Sequence, residues 1–86
     1  MPRISAFYGI LIYMYYNEHN PPHFHAHYGE NKAVVGINDF ALLEGSLPPK
    51  AFALVVEWAA LHLQELRQNW DKAAAHEQLI SIAPLI

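Results

Sequence analysis

Three histidines alternate with apolar or aromatic residues in the run His23-Phe24-His25-Ala26-His27-Tyr28, and His19 precedes them beside Asn20-Pro21-Pro22. Four of the chain's six histidines therefore fall between positions 19 and 27. A row of imidazoles has few uses: it binds a metal, carries a proton, holds an anion or faces a partner. Neutral imidazole is a good ligand for zinc, nickel, copper and iron.

If this run is a strand, its side chains alternate between two faces. His23, His25 and His27 then share one face, and Phe24, Ala26 and Tyr28 share the other. Histidines two apart on a strand lie about 6.6 Å apart at Cα, so two of them can turn towards one ion at about 2.0–2.1 Å. Three span about 13 Å, too far for the outer pair to meet past the middle one. The spacing therefore predicts a site built on His23/His25 or His25/His27, completed by His19, Glu18 or Glu30. A general base would be a nearby carboxylate. The structural alternative is a solvated or interface row of histidines beside Tyr13 and Tyr15.

Other chemistry has little support. There is no cysteine, no threonine, no His-Glu-x-x-His sequence and no glycine-rich phosphate loop; the serines are Ser5, Ser46 and Ser81. His62 and His76 read as structural, the latter near a helix end where a protonated imidazole is favoured. Trp58 and Trp70 read as core anchors.

The elements that must position the histidines follow from pattern. Ile4 to Phe7 reads as a first strand, with Gly9 permitting a bend into Ile10 to Tyr16. That second run is apolar or aromatic on both faces, which predicts a central strand covered on each side. Asn17 to Pro22 is a loop stiffened by two prolines. Gly29-Glu30-Asn31 turns the chain into a returning strand, Lys32 to Ile37. Phe40, Leu42 and Leu43 suggest one more short strand. Ser46 is placed to cap a helix entered through Pro48 and Pro49.

One long helix is predicted from about 49 to 75. Phe52, Val56, Ala59, Leu63, Leu66 and Trp70 form a continuous apolar stripe, and Ala51, Leu54, Trp58 and Leu61 form a second row in its first half. Asn69 falls among the polar positions that replace this second row further on. A short final strand is predicted at about 79–83. The expected fold is α+β: one domain over 1–86, an antiparallel sheet of about four strands within 4–47, and one long helix packed on one face. That helix should cover Phe24, Ala26, Tyr28, Ala33, Val35 and Ile37, leaving His23 and His25 on the opposite face.

Composition limits the partners. The 86 residues are 53% hydrophobic and only 15% charged, with a formal net charge of −3. So apolar a surface suits a protein partner or self-association. The five basic residues, Arg3, Lys32, Lys50, Arg67 and Lys72, are scattered, which argues against direct nucleic-acid binding. No run reaches the roughly 20 residues that span a bilayer, and a cytoplasmic protein is expected.

Several segments together resemble a known family. They are Ile4-Ser5, Phe7-Tyr8-Gly9-Ile10, Met14-Tyr15, His19-Asn20-Pro21-Pro22-His23-Phe24-His25-Ala26, Leu43-Glu44-Gly45-Ser46-Leu47-Pro48, Glu57-Trp58-Ala59, His62, Glu65-Leu66 and Asn69-Trp70. The family is the small bacterial domain of unknown function 4160, which has no established activity. Its members are often encoded beside a second small protein, an arrangement similar to toxin–antitoxin pairs. The resemblance implies a compact binding module with an apolar partner surface. His27 lies outside the motif, at a place where the family often carries an acidic residue, so the resemblance favours His19, His23 and His25 over His27.

Two functions remain. The first is a protein-interaction module, one partner of a toxin–antitoxin-like pair, with His19, Asn20, Pro21, Pro22, His23, His25, Tyr13 and Tyr15 as its binding surface. The alternative is a metal-dependent hydrolase or nuclease, with His19, His23 and His25 holding zinc or another divalent transition metal.

Overall fold

A computed structural model describes residues 2–86. Five strands run in chain order: β1 (Arg3–Phe7), β2 (Ile10–Tyr13), β3 (His23–Tyr28), β4 (Asn31–Gly36) and β5 (Leu42–Gly45). They form one antiparallel meander in the order β1-β2-β3-β4-β5. Two helices follow, α1 (Pro49–Leu61) and α2 (Leu63–Ala74). The α+β expectation holds, with five strands in place of about four and two helices in place of one.

Local chemistry accounts for the turns. Tyr8 and Gly9 both have positive φ, 50° and 80°, which is the backbone of the tight turn that matches strand twist in a two-residue hairpin. At the end of β5, Gly45 has φ 73°, and a Cβ there would lie 2.0 Å from the Lys32 carbonyl oxygen. Only glycine lets β5 close against β4 at this point.

The core lies between one sheet face and the helices. Ile10, Ile12, Phe24, Ala26, Ala33 and Val35 point into it, and Ala51, Val55, Trp58, Ala59 and Leu66 meet them. Trp58 is fully buried, with its ring 5.3 Å from Phe7 and 5.9 Å from Phe24. Burying a large aromatic contributes roughly 1.5–3 kcal/mol from transfer alone. Tyr28, expected under the helix, is instead exposed, at the rim where the end of β3 meets the first turns of α1. The second face of β2 is not fully covered: Leu11 and Tyr13 are half-buried.

The predicted long helix breaks at His62, whose backbone leaves helical geometry at φ −121° and ψ 29°. Its N–H is shared between the carbonyls of Trp58 (3.1 Å) and Ala59 (3.2 Å). The break re-aims the second half, so the buried positions become Leu66, Asn69 and Ala73, and Leu61 is left exposed. His62 itself is half-buried and donates from Nδ1 to Glu65 Oε1 at 2.6 Å, the structural role expected.

Ser46 does not cap the helix. Pro48 holds the cap position without a side-chain bond, and the Ser46 N–H extends the ladder to the Lys32 carbonyl. His76 is the left-handed residue that ends α2, at φ 58°; its N–H reaches the Ala73 carbonyl and the Glu77 N–H reaches that of Lys72. This is the pattern of a Schellman stop, with histidine where glycine is usual.

No regular strand forms at 79–83. The tail is held by side chains instead, because Asn69, expected on a polar face, is buried and brackets Ile80. Its amide nitrogen donates to the Ile80 carbonyl (2.8 Å) and its oxygen accepts the Ile80 N–H (2.9 Å). Trp58 Nε1–H donates to Ala83, and the Ile82 N–H reaches the Ile4 carbonyl on the edge of β1. Replacing Asn69 with Ala should leave both Ile80 groups unpaired. The expected loss is roughly 1–3 kcal/mol in urea unfolding, with faster amide exchange at Ile80 and Ile82. Unchanged exchange there would show that the bracket does not hold the tail.

Candidate metal centre

The sheet face opposite the core carries the imidazoles, and α2 reaches round to it at one end, where His23 is buried against Trp70. Pairing fixes this: Tyr13 opposes His25 and Leu11 opposes His27, while His25 opposes Val34, which opposes Glu44. Tyr15 meets the His25 ring edge at 4.6 Å, and Tyr13 lies 4.7 Å from His27. The aromatic contact extends from His25 to His23 and on to Trp70 of α2, at 5.3 and 5.1 Å.

Three side chains able to hold a metal ion converge at the end of this row. Single donor atoms of Glu18, His23 and His25 all lie within 4.8 Å of one another. The His25 Nε2–H donates to Glu18 Oε1 at 2.7 Å, and His23 Nε2 stands 3.4 Å from the same oxygen. The other nitrogen of His23, Nδ1, lies 2.8 Å from the Pro21 carbonyl oxygen. A carbonyl only accepts, so Nδ1 carries the proton. In a neutral ring Nε2 then presents a lone pair to a carboxylate oxygen. Two lone pairs face each other, and a positive charge between them relieves the repulsion.

The loop residues Asn17 to Pro22 make this arrangement. Asn17 has φ 63°, and the Asn20–Pro21 peptide is cis. The loop returns Glu18 over the start of β3 and aims the Pro21 carbonyl back at His23. A histidine fixed through one nitrogen by a backbone carbonyl, with the other nitrogen turned to a shared centre, is the usual support for a metal ligand.

Electrostatics agree with a retained anion at the centre. Burial works to raise the Glu18 carboxyl pKa, but the hydrogen bond from His25 and the attraction of the His25 and His23 rings in their protonated forms hold it below the usual value. Burial, then Tyr13 and Glu18, push the Tyr15 phenol up, so it stays protonated. Burial, Lys32 and His25 lower His27. Lys32 stands directly across the ladder from His27, which sets a cation beside the one imidazole of the row that stays outside the cluster.

The predicted residues divide accordingly. His23 and His25 come together. His19 is exposed and lines the adjoining hollow with Asn20 and Pro21, while Glu18 completes the ligand trio. Pro22 receives the Ile37 N–H at 2.9 Å and ties the loop to the end of β4. Tyr13 and Tyr15 support the face without entering the trio. Glu30 lies in the turn at the opposite end of β3. Trp70 and Glu44 were not legible as site residues, because each comes from an element whose placement the sequence alone does not give.

The family model for the domain of unknown function DUF4160 matches residues 9–71. The chain belongs to this family. The DUF4160 match runs from the first hairpin turn to near the end of α2, and it contains Glu18, His23, His25 and Glu44. No curated protein and no solved structure matches the chain. No helix among the described residues is long and apolar enough to cross a membrane.

Nitrogen NMR of the metal-free protein should find His23 protonated at Nδ1 and unprotonated at Nε2 in the neutral ring. The opposite tautomer would remove the bond to Pro21 and the aim of Nε2.

Proposed function

We propose that this DUF4160 protein binds a divalent transition metal, with zinc the natural fit, through Glu18, His23 and His25. The observation that carries the reading is the His23 ring, held at Nδ1 by Pro21 so that Nε2 faces Glu18. Two tetrahedral ligands at 2.0–2.1 Å from one ion lie about 3.3–3.4 Å apart. The 3.4 Å between His23 Nε2 and Glu18 Oε1 already matches this. His25 needs to shift its proton to Nδ1 and open by about 0.6 Å to give the same spacing. Two imidazoles and one carboxylate leave positions open for water or substrate, which suits hydrolytic chemistry.

Zinc titration of tag-free protein, followed by calorimetry and histidine ring shifts, tests this. One equivalent should bind, with shifts centred on His23 and His25. Glu18→Gln and His25→Ala should each weaken binding at least about 10-fold, and His19→Ala should weaken it less. Weak shifts spread over all six histidines would contradict the reading.

A second reading keeps the protein-interaction module, supported by β5. This edge strand is exposed along its length, with Leu42 and Leu43 at 47% and 43% exposure. Unpaired strand edges with apolar side chains are templates for a partner strand. Such a partner would be a second copy or a neighbouring small protein, as in a toxin–antitoxin-like pair.

A further inference from the structure

We propose that Glu44 is the general base of a hydrolytic centre that acts on neutral carboxylic esters or amides. The inference rests on the metal reading and adds to it a reaction, a substrate class and a proton acceptor.

The position of Glu44 follows from strand register. His25, Val34 and Glu44 stand in one row across β3, β4 and β5, and residues paired in this way share a face. Two strand spacings separate the backbone of Glu44 from that of His25, about 9.6 Å. Between them lies a hollow of about 320 Å³, floored by Val34, that Glu18, His23 and His25 all line and that Glu44 closes on the far side. The neighbouring hollow beside Trp70 touches only Glu18 of the trio. An ion held by the trio would therefore share with Glu44 a space large enough for a small acyl group.

Glu44 is exposed, and among the described residues it has no salt-bridge partner. Gly45 follows it in the conformation that seats β5 against Lys32, so the carboxylate is presented from an anchored position.

Charge selects the substrate. Among the described residues, no lysine or arginine lines the hollow, whereas two carboxylates do. Ion, Glu18 and Glu44 together are neutral. A phosphodiester would find no cation except the metal and would face Glu44, so a neutral acyl compound fits better than a nucleic-acid backbone. In the step, water oxygen bonds to the carbonyl carbon and its proton passes to Glu44. The bond from that carbon to the leaving oxygen or nitrogen then breaks, and Glu44 returns the proton to the leaving atom.

The test is the zinc-dependent part of p-nitrophenyl acetate hydrolysis, measured beside zinc affinity. Wild type should hydrolyse the ester faster than the same concentration of free zinc. Glu44→Gln should keep zinc affinity within about 2-fold and lose about 100-fold or more of the zinc-dependent rate. Glu44→Asp should recover part of it, and bis(p-nitrophenyl) phosphate should be a poor substrate. Full activity in Glu44→Gln overturns the proposal, as does a wild-type rate no greater than free zinc. Loss of zinc from Glu44→Gln makes Glu44 a ligand and also overturns it. Failure of wild type to bind zinc at all would be failure of the metal reading itself, and the affinity measurement separates the two.

Discussion

The two-residue alternation of β3 is the constraint on which the rest depends. As the middle strand it must bury Phe24 and Ala26 beneath the helices. That burial fixes which way His23, His25 and His27 point, because a slip of one residue would drive imidazoles into the core. The core therefore sets the direction of the imidazoles, and the loop before β3 sets their tautomer. Packing energy is converted into the aim of two nitrogen atoms.

The same logic explains why the cluster sits at one end of the row. His27 has Lys32 opposite, and no carboxylate joins it in the cluster. His25 and His23 are met by Glu18 and closed over by Tyr15 and Trp70. A carboxylate held ionised between two imidazoles, partly shielded by aromatic rings, favours a cation at that point. The break at His62 contributes at a distance, since it turns α2 so that Trp70 reaches His23 while Leu66 and Asn69 stay in the core.

Much of this was legible in the residues. Period-two alternation gave the histidine face, and the paired prolines marked the loop that orders it. Glu18 was one of three candidates for the completing ligand, but spacing could not choose it over His19, because the choice depends on the path of the loop. The broken helix was hidden because neither proline nor glycine marks the break; the stripe through Leu63 and Trp70 reads as continuous. Asn69 misled for the opposite reason. Its polarity suggests a solvated face, whereas its two hydrogen bonds to Ile80 satisfy it inside. Glu44 needed the register of three strands, a non-local property that no short motif carries.

X-ray absorption at the zinc edge of the one-to-one complex tests the central claim most directly. The account predicts two imidazole nitrogens and oxygen ligands at about 2.0–2.1 Å, with one imidazole lost in His23→Ala. Three or more imidazoles, or a first shell of oxygen alone, would contradict a centre built from Glu18, His23 and His25.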